Sequence, residues 1–273
     1  MPHPNLAPHP ATSRTDAGEP PVTLDHRTGP HGDITLRRHG PHLQIIANGC
    51  FLMDTSDGRS ERRLVDAALE ALTESRKTAP AGGRDNPAGH EAPAGGRQTP
   101  ATPATPAGGQ EAPAVLIGGL GVGFSLTHAT ADPRWGPITV VEREPAVIDW
   151  HRAGPLAPLT ADALADPRTR VLEADLVTYV NETSDTYDAL CLDIDNGPAW
   201  TVTEDNETLY SPSGLAACAR VLRPGGVLAV WSAQPSPEFE GTLRNAGFQR
   251  VRTEEIPVAR GVPDVVHLAV RPG

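Results

Sequence analysis

Cysteine is scarce in this chain, and its three copies, Cys50, Cys191 and Cys218, form no C-x-x-C pair. A disulfide framework and a zinc knuckle both need closely spaced cysteines, so neither is expected, and a reducing compartment is the default. No apolar run is long enough to span a bilayer. The N-terminus carries Pro, His and Asn where a signal peptide has a basic start and an apolar stretch. A cytoplasmic protein without membrane association is the expectation. Basic charge is also short: 23 Lys and Arg stand against 34 Asp and Glu, giving a formal net charge of -11. Such a field disfavours nucleic acid and anionic surfaces as partners and favours small cations.

Proline and glycine, by contrast, are abundant, with 29 and 27 copies, so much of the chain is not expected to pack. Residues 1–31 lack apolar periodicity and are expected to be a disordered tail. Their histidines and those just beyond, His3, His9, His26, His31, His39 and His42, match no metal-ligand spacing, and no metal is expected. Residues 32–77 are predicted to form a small β-hairpin domain with a helix. Two β-rich runs are broken at "HGPH" and again at Asn48-Gly49, and Leu64, Ala68 and Leu72 follow four apart. Residues 78–113 repeat "APAGGR" within Pro/Gly/Ala-rich text and are expected to be a low-complexity linker, whose closure entropy grows only slowly with length.

From residue 114 to 273 strand and helix patterns alternate, the signature of a doubly wound α/β sheet. Seven strands are predicted, in "VLIGG", "ITVVE", "RVLEAD", "YDALCLDID", "GGVLAVWS", "FQRVRTEEIPV" and "DVVHLAVRP". Helices are predicted after Gly123, over Pro145 to Arg152, near Thr160 to Leu164, and over Glu207 to Leu222.

Ligands of such sheets bind outside the carboxyl ends of the strands. The first strand runs into Gly118, Gly119, Gly121 and Gly123, where missing Cβ atoms let the chain approach a ligand closely. Glu142 ends the second strand, about 20 residues on, where a carboxylate conventionally accepts ribose hydroxyls. Asp175 ends the third, beside the place of a base. The glycine pattern is G-G-x-G-x-G, not that of a dinucleotide site, and no phosphate-loop Lys follows. An adenosyl ligand without phosphate is the expectation.

Taken together, "VLIGGLGVG", "VVEREPAVIDWHR", "VLEAD", "YDALCLDIDNGP" and "LYSPSGLAACARVLRPGGVLAVWSA" resemble the spermidine synthase (polyamine aminopropyltransferase) family, a branch of the class I methyltransferase fold. The resemblance covers roughly residues 114 to 235. It implies a seven-stranded Rossmann-like sheet behind a small N-terminal β-domain, with decarboxylated S-adenosylmethionine or S-adenosylmethionine as cosubstrate. It implies that the glycine turn and Glu142 hold the methionine-derived and ribose parts and Asp175 the adenine amine. Asp193 matches the first aspartate of the family's D-x-x-D motif, its catalytic base, and a small-molecule amine is the implied partner. Dimerisation through the N-terminal hairpins is implied too.

Certain positions depart from the family's pattern. Gly121 stands where the turn usually carries aspartate, Asn196 takes the place of the second aspartate, and "NGCFLMDTSDGRSERRL" replaces the stretch that lines the polyamine slot. Three readings therefore stay open: aminopropyl transfer with Asp193 as base, methyl transfer to an unknown acceptor, and a non-catalytic nucleoside-binding homologue. Trp200 and Tyr210 flank a polar stretch read as either a lid or loop packing; Glu204 and Asp205 within it, and Asp195 before it, could attract a polycation. Cys191 and Trp231 are expected to be packing residues.

Overall fold

The structure, a computed structural model, describes residues 20–29, 31–78, 111–194, 197–198, 204–258 and 261–273. Most of the expected tail and linker lies outside the described residues. The chain divides into two units, Met1–Ser56 and Asp57–Gly273. No helix among the described residues is long and apolar enough to cross a membrane.

The first unit is a four-stranded antiparallel meander of β1 (Val22–Gly29), β2 (Gly32–His39), β3 (His42–Ala47) and β4 (Cys50–Asp54). Asn48 and Gly49 turn the chain between β3 and β4 with φ of 50° and 79°, the left-handed pair that a tight hairpin requires. The Asn48 side chain accepts from the Asp33 amide at 2.9 Å and donates to the His31 carbonyl at 3.1 Å. Ile34 and Leu36 alternate onto one face of β2, and Leu36 pairs with Ile45. Two expectations need correction here. Val22–Gly29, assigned to the tail, is a strand, because pairing with β2 satisfies backbone groups that its polar side chains gave no reason to order. The helix assigned to the hairpin domain groups with the second unit instead.

That helix, α1 (Arg59–Thr78), buries Leu64, Ala68 and Leu72 as the four-residue spacing requires, packing across the large sheet. After it come β5 (Val115–Gly118), α2 (Phe124–Ala131), β6 (Ile138–Glu142), α3 (Pro145–Arg152), α4 (Ala157–Ala165), β7 (Thr169–Glu173), α5 (Leu176–Glu182) and β8 (Tyr187–Leu192). The chain closes with α6 (Glu204–Glu207), α7 (Pro212–Val221), β9 (Leu222–Ser232), α8 (Pro237–Asn245), β10 (Gln249–Ile256) and β11 (Asp264–Val270). The single helix expected over Glu207 to Leu222 is divided. A 3-10 turn, Thr208–Tyr210, leads to Ser211, which caps α7 by accepting from the Gly214 amide at 3.2 Å, and Pro212 cannot continue a helix from before it.

The seven strands lie in the order β10-β11-β9-β8-β5-β6-β7, the sheet of the class I methyltransferase fold. β7, β6, β5, β8 and β9 are parallel, and β11 and β10 add an antiparallel edge. β5 and β8 are buried along their whole lengths, as central parallel strands covered on both faces must be. The chain runs β5, β6, β7 outward on one side and returns to β8 on the other, so strand order reverses between β5 and β8. That reversal is where an open α/β sheet leaves a crevice. At the opposite end of the strands Asp188 fastens several elements. It accepts from the Ala114 amide at 2.8 Å and from Arg76 of α1 at 2.7 Å, and it pairs with Arg223 of β9.

Candidate active site

The glycines make the crevice narrow at its floor. Gly118 ends β5, and a Cβ there would come within 2.4 Å of the Leu176 side chain. Gly119 has φ of 92°, and a Cβ on it would lie 2.4 Å from the Asp193 carbonyl oxygen. The Asp193 amide in turn donates to the Gly118 carbonyl at 3.0 Å. Only a residue without a side chain lets the turn lie this close to the end of β8. Gly121 and Gly123 also have positive φ, 51° and 94°, and Gly123 opens α2.

Glu142, at the end of β6, is buried and turned beneath that turn. Its Oε2 accepts from the Leu120 amide at 2.9 Å and its Oε1 from the Glu144 amide at 2.8 Å. Burial raises its pKa, against the effect of those two amides. Each oxygen keeps a second lone pair, but the first duty of Glu142 is to shape the turn. Asp175 follows just after β7. Its Oδ1 caps α5 by accepting from the Thr178 amide at 2.8 Å, and the next residue, Leu176, covers Gly118. The glycine turn, Glu142 and Asp193 thus meet directly, while Asp175 joins them through its neighbour. Asp195, Asn196 and Trp200 lie outside the described residues. Tyr210 is no lid: it is 6 % exposed, with its ring edge-on to Phe239 at 5.6 Å. Cys191 is fully buried and burial pushes its thiol pKa up, as suits a packing residue.

Asp193 stands at the reversal point. Its Oδ2 accepts from the Ser125 hydroxyl of α2 at 2.9 Å, and burial raises its pKa in spite of that bond. A second carboxylate that the sequence pattern does not disclose, Glu61, lies within electrostatic reach of it. Gly58 approaches Phe124 so closely that a Cβ would fall 2.3 Å from the ring, and the Arg62 guanidinium lies 5.2 Å from the same ring's centroid. These contacts set the first turn of α1 against the first turn of α2. Glu61 is thereby brought into the field of both Asp193 and Asp264, and Ser60 donates to Asp264 at 2.6 Å. Burial first, and Asp193 next, raise the Glu61 pKa. Two carboxyls that raise each other's cost of ionisation both gain when a cation enters their field. Among the described residues no group of three or more His, Cys, Asp and Glu side chains is arranged to hold a metal.

Residues 104–243, about half of the chain, match the spermine/spermidine synthase domain. The chain belongs to that family. Among curated relatives, it is 33% identical over 141 residues to polyamine aminopropyltransferase 1 of Streptomyces coelicolor, a stretch covering 49% of this chain and 26% of that protein. Over 115 residues it is 33% identical to a polyamine aminopropyltransferase of Shigella boydii, covering 41% and 37% of the two chains. The likeness therefore spans well under half the length of these relatives. The fold matches the crystal structure of spermidine synthase from Thermotoga maritima at a TM-score of 0.62, with 14% identity, over 92% of this chain and 73% of that one. A spermidine synthase in complex with the transition-state analogue AdoDATO matches at 0.63, also with 14% identity, over 92% and 74%.

Proposed function

We propose that this chain is an aminopropyltransferase that moves an aminopropyl group from decarboxylated S-adenosylmethionine to a small polyamine such as putrescine. The observation that carries the reading is the placement of Asp193: part-buried, against Gly118 and Gly119, bonded to Ser125, and within the field of Glu61. Gly118, Gly119, Gly121 and Gly123 with Glu142 would form the nucleoside floor, and Asp175 would use its free oxygen on the base.

The chemistry asks little of a general acid. The amine nitrogen attacks the methylene carbon bonded to the sulfonium, the carbon–sulfur bond breaks, and its electron pair leaves with sulfur as a neutral thioether, methylthioadenosine. The nucleophile is the group that needs help, because a primary amine is mostly protonated at neutral pH. Asp193, its pKa lifted toward the working range, accepts that proton better than an ordinary carboxylate would. Glu61 holds the ammonium beside it, a place for which the resemblance offers only Asn196. Fixing both reactants in the crevice supplies much of the remaining acceleration.

Incubation with putrescine and decarboxylated S-adenosylmethionine is expected to yield spermidine and methylthioadenosine. Asp193→Asn is expected to lower turnover by about 100-fold or more, on the order of a general-base contribution, with little change in affinity for methylthioadenosine. Equal turnover would remove Asp193 from the role. Gly121, at the turn position where the family usually has an aspartate, favours a second reading, methyl transfer. Absence of spermidine together with tight binding of S-adenosylhomocysteine would establish that reading in its place.

A further inference from the structure

A buried histidine lies behind the glycine turn, apart from the carboxylates of the crevice. His151 of α3 is 1 % exposed. Its Nε2 lies 2.9 Å from the Gly121 carbonyl oxygen and its Nδ1 2.8 Å from the Thr160 hydroxyl of α4, itself 1 % exposed. A carbonyl can only accept, so Nε2 carries the proton, Nδ1 is bare, and the Thr160 hydroxyl donates to it. Burial lowers the pKa of the imidazole, which keeps it in this neutral form. The fit is tight: a Cβ on Gly123 would lie 2.3 Å from Thr160 Cγ2 and 3.1 Å from His151 Cε1.

The turn is held from behind at successive peptides. The Gly119 amide donates to the Val141 carbonyl, the Leu120 amide to Glu142, and the Gly123 amide to the Leu120 carbonyl. His151 takes the Gly121 carbonyl. In a trans, planar peptide the N–H points opposite the C=O, so fixing that carbonyl toward the imidazole aims the Val122 N–H the other way. Among the described residues the Gly121 and Val122 amides meet no acceptor.

We infer that His151, its tautomer set by Thr160, is a positioning residue that fixes the Gly121–Val122 peptide of the turn on which the adenosyl cosubstrate rests. This rests on the nucleoside reading of the turn under the proposed function. His151 touches no reacting atom. It acts by setting the peptide on which the cosubstrate rests.

Methylthioadenosine serves as the probe, titrated calorimetrically into the wild type, His151→Leu, His151→Gln and Thr160→Val. Loss of one buried hydrogen bond to a ligand-facing peptide is expected to weaken binding about ten-fold in His151→Leu. Glutamine places an N–H where Nε2 stands, and its affinity is expected within about three-fold of wild type, a rescue that filling of volume alone would not give. Thr160→Val, which removes the hydroxyl donor to Nδ1 at nearly constant volume, is expected to fall between them. In turnover, KM for the cosubstrate rises and kcat at saturation stays level. Leu binding as tightly as wild type, or Gln as weakly as Leu, would overturn the inference. Imidazole 15N NMR separates the two claims: an Nδ1–H tautomer overturns the His151 assignment, whereas the Nε2–H tautomer in a wild type that binds no methylthioadenosine overturns the nucleoside reading.

Discussion

Glu61 and Asp193 carry a stability consequence as well as a chemical one. A carboxyl whose pKa rises on folding binds its proton more tightly in the native state. It supports the fold below its ordinary range, and that support is lost as pH climbs through the raised value. Both carboxyls therefore work against the fold at neutral and alkaline pH. Glu61→Gln is expected to stabilise the protein by about 1–2 kcal/mol at pH 8 and to flatten the fall of Tm above about pH 5. The same change is expected to raise KM for the amine, since the ammonium loses a partner. Thermal unfolding followed across pH, with amine titrations, measures both. His267 acts in the opposite sense. It is fully buried, bonded through Nδ1 to Thr253 at 2.8 Å, and burial lowers its pKa to about 4, so its support is lost as pH falls below the ordinary histidine range. Asp193 could be picked out in the sequence because it matches the first aspartate of the D-x-x-D motif that the resemblance supplies, at the end of an apolar strand. Glu61 could not, because nothing in α1 signals which strand end its first turn will meet.

Among the elements, the strands were the most legible and the short helices the least. "VLIGG" and "YDALCLDID" are near-continuous apolar runs, which only a strand covered on both faces accommodates. The helices α5 and α8 escaped the periodicity reading, for seven and nine residues hold few repeats of a 3.6-residue period. Their starts carry another signal: Asp175 caps one, and Ser236 with Pro237 and two glutamates in the first turn begins the other. Reading Asp175 only as a ligand residue hid the helix it caps. The glycines separate by the same logic. Gly119→Ala forces a left-handed φ on a residue with a Cβ and drives it into the Asp193 backbone. A loss of about 2–4 kcal/mol is expected from strain and displacement together. At Gly241, inside α8, a Cβ would enter open space with no atom within 4 Å, and Gly241→Ala is expected to gain about 0.5–1 kcal/mol. Urea denaturation of the two variants tests the contrast.

At the scale of the molecule, the sheet and its reversal point were legible because alternating strand and helix text allows few topologies. The boundary of the first unit was not. β1 is polar along most of its length and draws its order from pairing with β2, so no local pattern announced it. Helix α1 shows the same limit from the other side, since its apolar stripe says that it packs and not on what. Asp188 supplies one more consequence. It holds Arg76, near the end of α1, and the amide of Ala114, just before β5, so the described residues on either side of the Pro/Gly/Ala-rich text share one anchor. Replacing residues 80–110 with a short Gly/Ser bridge is expected to change stability by less than about 2 kcal/mol, because closure entropy varies slowly with loop length. Differential scanning calorimetry of that deletion checks it. Flanks pinned by one carboxylate also suit grafting: a foreign domain whose own termini lie close together, spliced in at that point, is expected to leave the host sheet folded.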